Sequence, residues 1–260
     1  IGERLVCGLL GFLSNDGRAK EVRDDLASAL DLARHRGPDE GGTLHDEDTV
    51  LGFRRLSIID LNTGDQPFTS EDGRYPAVFN GEIYNYQELR EELLAAGHTF
   101  ATHSDTETIL HGYEEWGRGV LDKLRGMFAF VIWDTQTRQL FGARDIFGIK
   151  PFYYYNENGQ FLFGSEIKSF LDHPGFVKEI VREEIPNYLS YEYIPNEKTL
   201  FKGVYKLQPA SWFTWDFATG AFETARYYEF EYKIDETLSL DEVAERLLLF
   251  ERLEKKYHKS

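Results

Sequence analysis

The sequence predicts an α+β fold built from two β-sheets with helices packed on them. Two observations carry this expectation. Short runs rich in apolar and aromatic residues recur at 6–13, 50–59, 75–79, 127–133, 139–143, 152–155 and 160–163, with turn residues between them. Helical spacing of apolar residues interrupts these runs at 21–33 and 86–96, and a capping signature at Ser104 opens a third helix running through Trp116. Two sheets flanked by helices are the simplest arrangement that buries such a mixture.

The elements follow in order. The helix at 21–33 repeats Val22, Leu26, Ala29, Leu30 and Ala33, then stops at Arg34-His35-Arg36-Gly37-Pro38-Asp39. Gly37 and Pro38 break helical geometry, so this stretch is a loop whose arginines point outward or into a site. The strand at 50–59 carries a charged interruption at Arg54 and Arg55, and the strand at 75–79 is expected to end at Asn80-Gly81. The helix at 86–96 closes on Gly97, a residue suited to the left-handed C-terminal position. Ser104-Asp105-Thr106-Glu107 and, near the end, Ser239 to Glu242 both match a capping box. Past about Phe217 the composition shifts to charged and aromatic residues, and a tail helix follows with Leu240, Val243, Leu247 and Leu248 on one face. The expected organisation is a leader, propeptide or cloning remnant at 1–6, a main domain at 7–217, and a linker with helical tail at 218–260.

Composition narrows the function classes. A net charge of −16 repels a phosphate backbone, and no basic face offsets it, so nucleic acid is not an expected partner. No apolar run approaches the roughly 20 residues of a membrane span, so no membrane association is expected. A single cysteine excludes an intrachain disulfide framework and suits a reducing cytoplasm. His98, His103 and His111 have spacing that fits no common metal motif, so no metal is expected.

That one cysteine, Cys7, is where an amino-terminal nucleophile would sit; read alone, a lone cysteine is more often a small buried hydrophobe. An α-amine with pKa about 7.7–8 can take the proton of a thiol with pKa about 8.5 at neutral pH. Asn80-Gly81 offers a side-chain amide and a backbone N–H, the two donors an oxyanion hole needs, although Asn-Gly is also an ordinary turn. Arg55 presents a planar fork for an α-carboxylate, while Glu82 and Asp105 suit an α-ammonium. Singly these are surface charges or, for Asp105, a helix cap. Together they describe a pocket for a zwitterionic amino acid.

The motifs Cys7-Gly8, Arg34-His35-Arg36-Gly37-Pro38-Asp39, Arg55-Leu56-Ser57-Ile58-Ile59-Asp60, Phe79-Asn80-Gly81-Glu82-Ile83-Tyr84-Asn85, Ser104-Asp105-Thr106-Glu107, Gly126-Met127-Phe128-Ala129-Phe130 and Arg144-Asp145 with Gly148, Lys150 and Pro151 occur in that order. The series resembles the glutaminase domain of glutamine-hydrolysing asparagine synthetases, a class II amidotransferase of the N-terminal nucleophile type, over roughly 7–217. The resemblance implies a four-layer αββα sandwich. It also implies hydrolysis of L-glutamine through a cysteinyl thioester, with Cys7 as nucleophile and, through its amine, as base. Asn80 and Gly81 would form the oxyanion hole, Arg55 with the Ile58 and Ile59 backbone would bind the carboxylate, and Glu82 and Asp105 the ammonium. The glutaminase reaction needs no cofactor in that family; ATP and Mg belong to a synthetase domain. Lys150-Pro151 is assigned no catalytic role.

Two departures qualify the resemblance. Ile1 to Val6 precede Cys7, and while they remain attached its amine is an amide. The family's Ser-Gly-Gly-x-Asp-Ser loop is not in this sequence, so the chain is expected to be the ammonia-producing half and to work with a synthetase domain or subunit. A homodimer is left open. The alternative function is a catalytically silent glutaminase-like binding or regulatory module that recognises glutamine or a partner without turnover.

Overall fold

The computed structural model describes residues 7–15, 23–56 and 65–231, with single positions between 239 and 248. Contacts divide the chain into two units, Ile1–Tyr228 and Glu229–Ser260. The first runs β1 (Gly8–Ser14), α1 (Arg23–Leu32), β2 (Glu40–His45), β3 (Thr49–Arg55), β4 (Phe68–Thr69), β5 (Pro76–Ile83), α2 (Tyr86–Ala96), α3 (Asp105–Trp116), α4 (Val120–Lys123), β6 (Gly126–Asp134), β7 (Gln139–Arg144), β8 (Tyr153–Glu157), β9 (Gln160–Gly164), α5 (Ile185–Tyr191), β10 (Val204–Lys206), β11 (Ser211–Asp216) and β12 (Phe222–Arg226).

Two six-stranded sheets result. One has the order β10-β8-β9-β1-β3-β2 and the other β12-β11-β7-β6-β5-β4, and the strand pairs are antiparallel. Strand periodicity sorts the side chains into three cores. Leu9 and Leu13 of β1, with Leu51 and Phe53 of β3, meet Val78, Val131, Trp133 and Trp215 of the opposite sheet. The intervening Leu10 and Phe12 pack outward with Leu30 and Ala33 beside α1. Phe79, Phe130 and Phe141 pack outward under Leu89, Ile109 and Leu121 of α2, α3 and α4. The outcome is the αββα sandwich, and it explains why β1 reads as an unbroken apolar run: both of its faces are buried. Aromatic contacts bridge the sheets, with Phe161 5.8 Å from Trp215 and 5.4 Å from Phe213 between ring centroids. Such pairs add about 0.5–1.5 kcal/mol each beyond the area they bury.

Two strand boundaries differ from expectation. The strand expected at 50–59 is β3, which ends at Arg55 with Leu56 outside it, and positions 57–59 lie outside the described residues. Strand β5 does not end at Asn80-Gly81 but continues to Ile83, because Asn80 pairs with Ala129, Gly81 with Phe128 and Glu82 with Met127 on β6. Ladder pairing outweighs the local turn preference of Asn-Gly. The glycine is required by the approach of the two backbones: a Cβ on Gly81 would lie 2.1 Å from the Met127 carbonyl oxygen. Gly97 caps α2 in the left-handed conformation with φ 105°, as expected.

The two capping signatures behave differently. Ser104 caps α3 by accepting the Thr106 N–H, but Glu107 turns away to accept the Ala101 and Thr102 N–H groups, and the Ser104 N–H goes to Thr102 Oγ1. In the second unit the box closes reciprocally: Ser239 N donates to Glu242 Oε2 at 2.8 Å, and Glu242 N to Ser239 Oγ at 3.3 Å. No helix among the described residues is long and apolar enough to cross a membrane.

Candidate active site

The inward-facing row Leu51, Phe53, Arg55 of β3 ends at one rim of the sandwich, near where the inward row Val78, Asn80 of β5 also runs out. A cleft opens at this rim. Cys7, Phe53, Arg55, Gln66, Gly81, Glu82, Asp105 and Thr106 are among the residues that line it. Five residues singled out from sequence are thereby brought together: Cys7, Arg55, Gly81, Glu82 and Asp105. Asn80 is buried behind the wall at 1% exposure, and Ile58 and Ile59 lie outside the described residues.

Cys7 sits immediately before β1, whose Gly8 pairs with Arg54. Its sulfur is 3.3 Å from the Leu56 N–H that donates to it and 3.5 Å from the Leu56 carbonyl. From the Arg34–Asp39 loop, Arg36 Nε donates to the Cys7 carbonyl at 3.2 Å while its Nη1 donates to Glu166 at 3.0 Å. That loop reaches the site because Gly37 lies against the end of β3, where a Cβ would meet the Arg54 carbonyl carbon at 2.4 Å. Of its two arginines, Arg36 is the one that turns into the site. Burial pushes the Cys7 thiol above its ordinary pKa, and the Leu56 contact, then Lys150, Arg55 and Arg36, pull it back.

Arg55 is 5% exposed, and its Nη1 donates to Glu40 at 3.1 Å and to Asp65 at 2.9 Å. Its neighbour Arg54 faces the opposite way, donating to the Leu30 carbonyl of α1. Asp105 is not the cap of α3, a role held by Ser104. Its carboxylate accepts the Ile83 N–H at 3.0 Å, tying the first turn of α3 to the end of β5. Burial drives the Asp105 carboxyl up to about 6, opposed by the Ile83 bond and reinforced by the charge of Glu82.

Other contributors were given no role at the site from the sequence, although Asp145 and Lys150 stand in one of its motifs. Gln66 grips the Phe79 backbone, accepting its N–H at 2.7 Å and donating to its carbonyl at 3.0 Å, which extends the sheet edge beside the cleft. Asp145 accepts N–H bonds from Phe128, Phe147, Ile149 and Lys150, shaping the loop that places buried Lys150 in the electrostatic field of Cys7. Lys150, assigned no catalytic role from the sequence, is first among the cations whose charge draws the thiol pKa down.

A cysteine within reach of cationic charge, backbone and amide donors nearby, an arginine fork and two carboxylates bring together the kinds of group that acyl transfer from an amino-acid carboxamide requires. A family profile described as the glutamine amidotransferase domain matches residues 6–228. The chain belongs to the glutamine amidotransferase family. Glutamine-hydrolyzing asparagine synthetase 1 of Bacillus subtilis is 46% identical to this amidotransferase domain over 211 residues, covering 80% of the chain and 33% of the relative. Asparagine synthetase 3 of the same organism is 35% identical over 229 residues, covering 87% and 37% respectively. The amidotransferase domain thus spans about a third of the length of these curated relatives. Among solved structures, a glutamine phosphoribosylpyrophosphate amidotransferase from B. subtilis superposes with a TM-score of 0.60 at 18% identity, over 85% of this chain and 49% of that one. That likeness concerns the fold.

Proposed function

We propose that this domain hydrolyses L-glutamine to glutamate and ammonia, with Cys7 as nucleophile. The gathering of Cys7, Arg55, Gly81, Glu82 and Asp105 around one cleft carries the reading. Arg55 holds the α-carboxylate of glutamine, and Glu82 and Asp105 its α-ammonium. When Cys7 is the first residue, its free amine accepts the thiol proton. The sulfur then bonds to the side-chain carbonyl carbon, and the negative charge that develops on oxygen is met by the Gly81 N–H and Asn80 Nδ2. The C–N bond breaks as the amine returns the proton, and ammonia leaves. Water then splits the thioester, releasing glutamate and restoring the thiol.

The curated relatives are glutamine-hydrolyzing asparagine synthetases about two and a half times as long as the chain, which supports delivery of the ammonia to an ATP-dependent synthetase domain or subunit that amidates aspartate. While Val6 stays joined to Cys7 the amine is a peptide N–H, and the same cleft binds glutamine without turning it over. Glutamate release by protein whose mass and terminal sequence place Cys7 first is the test. Turnover that disappears in Cys7→Ala is expected; no release from the Cys7-first protein would refute hydrolysis and leave the binding reading.

A further inference from the structure

Away from the cleft, α3 presents Glu107 and His111 four residues apart on one face, and the turn between β4 and β5 brings Glu71 against them. The histidine spacing that suggests no metal along the chain thus gives no hint of what the fold assembles. His111 Nδ1 lies 2.7 Å from Glu114 Oε2, a hydrogen-bond length that places the ring proton on Nδ1. In the neutral ring, the form a metal binds, Nε2 then carries the lone pair. Without an ion, and against burial, Glu107, Glu114 and Glu71 hold the imidazole up to about 9, so a metal takes the place of the Nε2 proton. Nε2 is buried without a hydrogen-bond partner, 3.4 Å from Glu71 Oε1 and 3.6 Å from Glu107 Oε1. His111 is 2% exposed and Glu107 fully buried, so two of the three converging ligand atoms stand where water does little to relieve them, while Glu71 approaches from the solvent side. The two separations exceed the ~2.7–3.2 Å of an ordinary N–H···O bond. They suit ligands sharing one ion, because donors about 2.0–2.1 Å from a tetrahedral metal stand roughly 3.3 Å apart.

We propose that Glu71, Glu107 and His111 Nε2 bind a divalent transition metal of the zinc type. The surroundings match what such a site requires. Glu114 accepts the other ring N–H, the usual partner that orients a metal-bound imidazole. Glu107 is held in turn by the Ala101 N–H at 2.6 Å and the Thr102 N–H at 2.8 Å. Glu71, with a half-exposed side chain, provides the route of entry. The ion would clip the turn after β4 to α3, whose first turn carries Asp105 and Thr106 of the cleft.

The test is calorimetric titration of Zn²⁺ alone into the chelator-treated, tag-free full chain carrying Cys7→Ala, so that the thiol cannot compete as a ligand. One saturable equivalent is expected in the micromolar range or tighter. Glu71→Ala should weaken it at least tenfold, and Glu114→Gln by roughly ten- to a hundredfold. Since Glu71 lies in an exposed turn, its replacement keeps the fold, which circular dichroism verifies. Co²⁺ in place of Zn²⁺ should give the visible bands of a low-coordinate N/O site. Absence of saturable binding up to millimolar Zn²⁺, or equal affinity in the parent and both variants, overturns the proposal.

Discussion

Asn80 Nδ2 lies 3.5 Å from Ser165 Oγ, a contact that joins β5 of one sheet to the residue following β9 of the other. Ser165 Oγ already accepts the Leu9 N–H at 3.1 Å, and the Ser165 N–H returns to the Leu9 carbonyl at 2.9 Å. The hydroxyl proton is thus available to donate, while Asn80 Oδ1 is buried without a partner. Turning the amide about its last bond satisfies Oδ1 with that proton and frees Nδ2 as a donor. With the amide so turned, Ser165 would position Asn80 for the proposed oxyanion hole.

Ser165→Ala should therefore lower kcat by about tenfold or more with KM for glutamine little changed, since a misdirected oxyanion donor costs transition-state stabilisation rather than substrate binding. Ser165→Thr, which keeps the hydroxyl, should recover most of the rate. Steady-state kinetics of the two variants decide the matter, and an unchanged kcat in Ser165→Ala would remove Ser165 from the site.

The Asp105 carboxyl, held at about 6 chiefly by burial, gives the cleft a pH dependence. Only the ionised form attracts the ammonium of glutamine. Below about pH 6 the free enzyme carries a neutral carboxyl, and KM should rise as pH falls. Bound substrate lowers the carboxyl's pKa, so kcat should hold to more acidic pH than kcat/KM. Asp105→Asn keeps an acceptor for the Ile83 N–H but removes the charge. Its KM should be at least tenfold higher at pH 7.5, and its kcat/KM should lose the limb near 6. For stability the sign runs the other way: a folded pKa above the ordinary 3.8 means the native state binds more protons, so Asp105 favours the fold less as pH rises from about 4 to 6.

Lys150 is 8% exposed and is foremost among the cations drawing down the Cys7 thiol, ahead of Arg55 and Arg36. Replacing it with methionine retains the buried stem and removes the charge. The pH profile for alkylation of Cys7 by iodoacetamide should then move to higher pH, with a several-fold slower rate at pH 7.5. An unmoved profile would show that Lys150 serves only the loop built on Asp145.

Much of the candidate site was legible because residues that line the cleft sit in short motifs: Cys7-Gly8, Asn80-Gly81-Glu82 and Ser104-Asp105. Those that support them were not, because their contacts are made across the fold. Ser165 meets Leu9 over a separation of 156 residues and Asn80 over 85. Gln66 acts through the backbone of Phe79, which no side-chain pattern reports. Strands fared similarly. The runs forming β6, β7, β8 and β9 announce themselves by apolar content, whereas β2 holds Glu40-Gly41-Gly42 and is largely exposed, and β4 has only two residues.

The same competition between local signal and pairing yields the last prediction. Gly81 bears the proposed oxyanion N–H, and its neighbours are fixed by the β5–β6 ladder. An alanine there places a methyl carbon 2.1 Å from the Met127 carbonyl oxygen and 2.8 Å from the Phe128 Cα, both backbone atoms that no rotamer change can move. The two strands must separate locally. Overpacking of this kind costs about 1–3 kcal/mol, so Gly81→Ala should lower the denaturation midpoint measurably. Displacing an oxyanion donor should also cost on the order of a hundredfold in kcat. The two effects are separable: a bound ligand stabilises the fold, so saturating glutamine should raise the midpoints of variant and parent alike while leaving the variant's kcat depressed. A Gly81→Ala protein with parental midpoint and parental kcat would mean that the two strands yield at this point and that the N–H at 81 does not meet the developing charge.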